Sequence, residues 1–160
     1  MLLSTLPSLA AEIARLRADG KTIVWTNGCF DLMHPGHIET FRVAKSLGDI
    51  VVVGINSDAS PYWATKPGRP INSEKFRAEM VASLRYVDIV YLYDGETPIE
   101  PIAAILPDVL LKGGDYDPDT IVGAREVREN GGRVVTVPIV GDYSTTQIVK
   151  KVCEVYGAEA

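Results

Sequence analysis

The sequence predicts an α/β protein: one doubly wound, five-stranded parallel sheet in the order 3-2-1-4-5, with helices on both faces and an extra N-terminal helix. Three observations predict it. Apolar strand-like runs and helical periodicities alternate five times along the chain. The run Ile50-Val51-Val52-Val53-Gly54-Ile55 is continuous rather than alternating, as expected of a strand covered on both faces. No repeat, low-complexity tract or linker interrupts the 160 residues, so they read as one domain, residues 1–160, with 1–20 as a helical extension.

The elements follow in order. Leu9, Ile13 and Leu16 at helical spacing, closed by Gly20, predict a short amphipathic helix over 8–18. The run Thr22-Ile23-Val24-Trp25 predicts a strand over 22–26, and Pro35, a favoured first helical residue, opens a helix to about 47 with Gly48 beyond it. Ile38, Phe41 and Val43-Ala44 form its inward face. After the strand over 50–55 comes a long loop, 56–71, with three prolines and Gly68, a length typical of binding loops. A helix over 73–84 is expected to be capped by Asn72 and to carry Phe76, Met80 and Leu84 on one stripe. A strand over 89–93 precedes the capping box Thr97-Pro98-Ile99-Glu100, which opens another helix. The strand Val109-Leu110-Leu111 leads into Lys112-Gly113-Gly114-Asp115-Tyr116. A helix over 119–129 ends at Gly131, a strand over 134–137 stops at Pro138, and Ser144-Thr145-Thr146 opens the last helix.

Right-handed crossovers give the strand order and place the first and fourth strands side by side, where the winding reverses. Ligands of such Rossmann-like sheets bind at that switch, beyond the carboxyl ends of the strands. The turn at 26–37 and the Lys112-Gly113-Gly114-Asp115 turn should therefore meet at one crevice.

Composition narrows the function. With 46% hydrophobic and 23% charged residues the chain is ordinary for a globular protein, and a net charge of −5 disfavours nucleic-acid binding. Two cysteines, Cys29 and Cys153, argue against a disulfide framework. The N-terminus lacks the basic start of a signal peptide, and no apolar stretch reaches the ~18 residues of a membrane span. A soluble, cytoplasmic protein without membrane contact is expected.

The chemistry concentrates in Thr26-Asn27-Gly28-Cys29-Phe30-Asp31-Leu32-Met33-His34-Pro35-Gly36-His37, a turn from strand end to helix start. Backbone N–H groups and the helix dipole make such a start an anion site. His34 and His37 are the chain's two histidines and share one helical turn. Their N–H groups suit charge building on phosphate oxygens; metal ligation or simple capping are the alternatives, and zinc would need further ligands. Gly28 and Gly36 either admit a phosphate or satisfy turn geometry, and Thr26 and Asn27 either reach a ligand or cap the turn. Asp31 reads as a brace for the loop, and Cys29 as a small packed residue rather than a nucleophile. Ser144-Thr145-Thr146 suits phosphate at a second helix start, against an ordinary cap. Lys112 and Asp115 straddle the Gly113-Gly114 pair, where Asp115 suits ribose hydroxyls or a tight turn. Lys66 and Arg69 either close on phosphates or belong to a solvated loop, and Arg77 either reaches phosphate or pairs with Glu74. Trp63 is either a stacking platform or an exposed loop aromatic. No P-loop and no G-x-G-x-x-G is found.

Gly28-Cys29-Phe30-Asp31-Leu32-Met33-His34-Pro35-Gly36-His37 resembles the G-x-F-D-x-x-H-x-G-H signature of the cytidylyltransferase-like nucleotidyltransferases, with Ser144-Thr145-Thr146 at the expected distance. Together with Asn56-Ser57-Asp58-Ala59-Ser60, Arg69-Pro70-Ile71-Asn72 and Tyr143-Ser144-Thr145-Thr146, the chain looks like the heptose 1-phosphate adenylyltransferases, in many bacteria half of a bifunctional kinase/adenylyltransferase. The resemblance implies attack of a sugar 1-phosphate, D-glycero-β-D-manno-heptose 1-phosphate, on the α-phosphorus of ATP, with Mg²⁺ accompanying the ATP and ADP-heptose as product. It implies catalytic His34, His37 and Lys66. Nucleotide contacts would fall to Thr26, Asn27, Gly28, Cys29, Phe30, Gly36, Lys112, Gly113, Asp115, Ser144, Thr145 and Thr146. Asn56, Arg69 and Arg77 would serve the acceptor, and a homodimer is implied. One departure stands out: where those enzymes run V-x-R-L-K-G, this chain has Pro61-Tyr62-Trp63-Ala64-Thr65-Lys66. Glycerol-3-phosphate cytidylyltransferase is the nearest alternative, though it has G-D-D-W where this chain has Gly113-Gly114-Asp115-Tyr116. A nucleotide-binding regulator without catalysis is the alternative of another class.

Overall fold

The structure, a computed structural model, describes residues 1–114, 116–138 and 143–157. Its strands are β1 (Leu2–Leu3), β2 (Ile23–Gly28), β3 (Ile50–Asn56), β4 (Ile89–Tyr93), β5 (Val109–Gly113) and β6 (Arg133–Val137). All pair in parallel, in the order β1-β4-β3-β2-β5-β6. The helices are α1 (Leu6–Ala18), α2 (Pro35–Leu47), α3 (Glu74–Ala82), α4 (Ile99–Ile105), α5 (Ala124–Glu129) and α6 (Thr145–Tyr156).

Alternate side chains of each central strand enter opposite cores, which is why the apolar runs are continuous. Ile23, Trp25 and Val52 join α1, α4 and α5 on one face. Val24, Val51, Val53 and Ile55 join Phe41 and Ala44 of α2 and Ala78 and Val81 of α3 on the other. Full burial of each Val, Ile or Phe among them contributes about 1.5–3 kcal/mol.

The five expected strands hold their order, so β2 and β5 flank the switch point. The expectation of five strands is corrected to six: Leu2 and Leu3 pair with Val90 and Tyr91 at the outer edge of β4. The Met1 ammonium donates to the Asp88 carbonyl oxygen at 2.7 Å beside them. A two-residue strand has no periodicity to read; it exists because β4 leaves an unpaired edge.

Five local expectations also change. The cap of α3 is Ser73, whose Oγ accepts from the Phe76 N–H at 3.5 Å, while Asn72 turns to the Asp31 carbonyl oxygen at 2.6 Å. Phe76 and Met80 are exposed, and α3 buries Arg77, Ala78 and Val81 instead. No side-chain hydrogen bond caps α4, which starts after Pro98, so Thr97 and Glu100 form no capping box. The helix expected over 119–129 begins only at Ala124, after turns. The segment 61–65, read as loop, is a 3₁₀ turn.

Candidate active site

The turn after β2 is pinned from beneath. Asp31 accepts from Arg69 Nη1 at 2.7 Å and from the Ile71 and Asn72 N–H groups at 2.9 Å each. Burial alone would raise its carboxyl, but these donors outweigh it and hold Asp31 below the ordinary carboxylate range. Phe30 takes a left-handed backbone with φ 50°, rare for a large side chain. That turn sends its ring into the core, with centroids 5.2 Å from both His37 and Phe41.

His34 is extended at the N-cap of α2 and His37 lies one turn in. Their rings stack with centroids 3.8 Å apart and planes at 29°. The His34 backbone N–H donates to His37 Nδ1 at 3.3 Å, which leaves Nε2 of the neutral ring as the protonated nitrogen. Burial, with the neighbouring His34, lowers the His37 pKa to about 4, and burial also lowers His34. Both rings are therefore neutral near pH 7. His34 Nδ1 is buried without a hydrogen-bond partner among the described residues, an orphan that a ligand would satisfy. Gly36 makes room for this ring: a Cβ there would stand 3.1 Å from His34 Cε1 and Nδ1.

A cavity of about 690 Å³ opens at the carboxyl ends of β2 to β6. Of the residues expected at the site, Thr26, Asn27, Gly28, Cys29, Phe30, His34, Gly36, His37, Asn56, Lys112, Gly113 and Ser144 line it. Lys112 donates to the Asn27 carbonyl oxygen at 3.2 Å, and burial lowers its pKa. Gly113 permits close packing on α2, since a Cβ would meet Thr40 Oγ1 at 2.6 Å. Ser144 both caps and faces the cavity: its Oγ accepts from the Gln147 N–H at 3.2 Å. Thr145 Oγ1 donates to the Leu32 carbonyl oxygen at 3.2 Å, and Thr146 is exposed beyond it. Asp115 lies outside the described residues.

Other expected residues stand elsewhere. Asn56 is at the wall, but its side chain is engaged with protein: Oδ1 accepts from Tyr93 OH at 3.0 Å and Nδ2 donates to Ser60 Oγ at 3.2 Å. Arg77 neither lines the cavity nor pairs with Glu74. It is 1% exposed and donates to the carbonyl oxygens of Cys29 (2.7 Å), Asn56 (2.7 Å) and Asn72 (3.0 Å) and to Asp58 Oδ1 (2.8 Å). Arginine satisfies four acceptors at once because its donors fan out in a plane. Trp63 is neither platform nor exposed: it is buried, donates from Nε1 to the Ser57 carbonyl oxygen at 2.7 Å, and lies 5.2 Å beneath the Arg77 guanidinium. Arg69 is bound to Asp31 away from the lining, and Lys66 Nζ sits 4.7 Å over the Tyr62 ring.

The lining also includes Tyr62, Tyr93, Glu96 and Thr97 on the β3–β4 side and Tyr116 and Tyr143 on the β5–β6 side. Sequence reasoning assigned none of these six to the site, although Tyr116 and Tyr143 stand inside the sequence motifs at 112–116 and 143–146. The rule that ligands sit beyond strand carboxyl ends pointed to 94–98 as much as to 112–116, but no ligand-binding motif marked 94–98.

Paired neutral imidazoles, a lysine and a helix N-terminus around one crevice of a parallel sheet define an enzyme of the nucleotide-handling α/β class. The chain belongs to the cytidylyltransferase-like family, whose model matches residues 25–151, and it is a nucleotidyltransferase. It is 46% identical over 145 residues to the bifunctional protein HldE of Syntrophotalea carbinolica, covering 91% of this chain and 29% of that protein. To HldE of Trichlorobacter lovleyi it is 45% identical over 151 residues, 94% and 31% of the two chains. The chain thus spans about a third of the length of these relatives. Among solved structures, the lipopolysaccharide core biosynthesis protein of Thermoplasma volcanium is 29% identical with a TM-score of 0.60, covering 78% of this chain and all of that one. Pantoate-beta-alanine ligase of Francisella tularensis, 16% identical with a TM-score of 0.61 over 96% of this chain and 78% of its own, shares the fold.

Proposed function

We propose that this nucleotidyltransferase moves AMP from ATP to D-glycero-β-D-manno-heptose 1-phosphate, giving ADP-heptose and pyrophosphate in the cytoplasm. The observation that carries the reading is convergence: His34 and His37, Lys112 and Ser144 line one cavity, though motifs about 80 to 110 residues apart supply them. Identity of 44–47% to proteins named HldE supports the acceptor.

In the reaction an oxygen of the sugar 1-phosphate attacks the α-phosphorus of ATP, and the bond from that phosphorus to the bridging oxygen breaks toward pyrophosphate. No covalent enzyme intermediate is needed; positioning and charge stabilisation suffice. His34 and His37, neutral and rigidly stacked, present N–H groups to the crowded α-phosphate. The α6 N-terminus with Ser144, Thr145 and Thr146 takes the departing phosphates, and Lys112 adds a cation. Gly113, Asp115 and the backbone at Thr26–Gly28 serve the nucleoside, while Lys66 approaches the acceptor phosphate from the 61–71 segment, which Arg69 fastens to Asp31. Mg²⁺ enters with the ATP, where it offsets the triphosphate charge.

The test is a matrix of ATP, CTP and GTP against heptose 1-phosphate, mannose 1-phosphate and glycerol 3-phosphate, read by pyrophosphate release. Turnover is expected with ATP and heptose 1-phosphate. Turnover confined to CTP with glycerol 3-phosphate, or ATP binding without any product, overturns the reading.

A further inference from the structure

The cavity is polarised, and its far end has no assigned role. Lys112 lies on β5 and Glu96 follows β4, three strand spacings or about 14 Å apart across the sheet. The imidazoles stand between them, at the end of β2. Both reactants are anionic and must bring their phosphates together at the imidazoles. The triphosphate is drawn toward β5 and β6, where Lys112 and the α6 N-terminus lie. The acceptor's carbon skeleton must then extend the other way, over β3 and β4.

That end is unsuited to phosphate. Its wall is Asn56, Tyr62, Tyr93, Glu96, Thr97 and Pro98, with a carboxylate and no cation among these residues; Lys66, over the Tyr62 ring, is not part of the lining. A carboxylate there repels anions but accepts hydrogen bonds from hydroxyls at two oxygens. The Glu96 side chain makes no ion pair or hydrogen bond among the described residues, so both oxygens keep that capacity. Its loop is held in place. The Gly95 carbonyl oxygen accepts from Ser60 Oγ at 2.8 Å and from Asn56 Nδ2 at 3.4 Å, and Asn56 is itself fixed by Tyr93 OH. From β2 to β4 is two strand spacings, about 10 Å, the reach of a sugar rather than of glycerol.

Resting on the adenylyl-transfer reading above, we infer that Glu96 is a specificity residue that accepts hydrogen bonds from acceptor hydroxyls remote from the phosphate, with Tyr62 beside it on the same wall. Asn56 acts through the loop and is a positioning residue. The inference extends the site to a polyhydroxylated carbon chain and explains why a carboxylate borders a cavity for anions.

Glu96→Gln and Glu96→Ala decide it, with folding checked by circular dichroism; Glu96 is exposed, so both are expected to fold. Acceptor KM for heptose 1-phosphate should rise about tenfold or more in Glu96→Ala and less in Glu96→Gln, with ATP KM changed by less than about twofold. The preference for heptose 1-phosphate over mannose 1-phosphate should shrink in parallel. Wild-type turnover with both variants keeping the wild-type acceptor KM overturns this inference alone. A rise in ATP KM or Mg²⁺ requirement instead of acceptor KM overturns it too, because Glu96 would then serve the nucleotide's metal. A wild-type chain that makes no product with any sugar 1-phosphate overturns the adenylyl-transfer reading and this inference together.

Discussion

Thr145 Oγ1 donates a hydrogen bond to the Leu32 carbonyl oxygen across 113 residues of sequence. It ties the first turn of α6 to the loop that carries the histidines, so the two helix starts are joined by a direct contact.

Thr145→Val keeps the shape and removes the donor. One neutral hydrogen bond contributes about 0.5–1.5 kcal/mol to folding, so the melting temperature should fall by a few degrees at most, and ATP KM should rise by up to about tenfold where the clamp also orders the site. Steady-state kinetics measures this, and an unaltered ATP KM would count against the clamp.

His37→Ala should fold normally and lower kcat by about 10²-fold or more, the usual effect of losing a transition-state donor. Circular dichroism with pyrophosphate release separates folding from chemistry. Wild-type kcat in the folded variant would remove His37 from the mechanism.

His37 also sets a pH window. Its folded pKa of about 4 lies below the ordinary 6.5, so the unfolded chain binds the extra proton between those values. Stability from this group is complete above about pH 6.5 and declines as pH falls toward 4. Asp31 acts lower: its depressed carboxyl contributes above the unfolded value of 3.8 and is lost only as pH drops through its folded pKa. Urea midpoints should fall as pH is lowered from 7 to 4 in the wild type, and fall less in His37→Asn; parallel curves would refute the assignment.

Arg77→Met removes a donor set that four acceptors share, leaving three carbonyls and Asp58 short of partners. A loss of about 3 kcal/mol is expected by urea denaturation, and Arg77→Lys should recover only part of it because an ammonium cannot reach all four. A loss under about 1 kcal/mol would show that the network relaxes.

Legibility was uneven for identifiable reasons. The strands β2 to β6 announced themselves because burial on both faces requires unbroken apolar runs, and Pro35 marked α2 through its own backbone geometry. At Asn72 and Ser73 two good caps stand side by side, and the choice fell to Ser73 because Asp31 holds Asn72 from another loop. Phe76 and Met80 have core-like spacing, yet α3 turns the other way to bring Arg77 under three loop ends. Trp63 looked like a loop aromatic because its partners, Ser57 and Arg77, become neighbours only after folding.

The sequence by itself determined the alternation of strands and helices, the switch point, and the spacing that stacks His34 on His37. The alternation and the histidine spacing depend on residues within one or two helical turns or one strand, and the switch point follows from the handedness of the crossovers. Tertiary structure alone decided that Arg77 is a buried brace, that Leu2 and Leu3 add a strand, and that Glu96 faces the imidazoles' cavity. Those relationships join segments far apart in the chain, and packing of the assembled sheet, rather than any local period, brings them together.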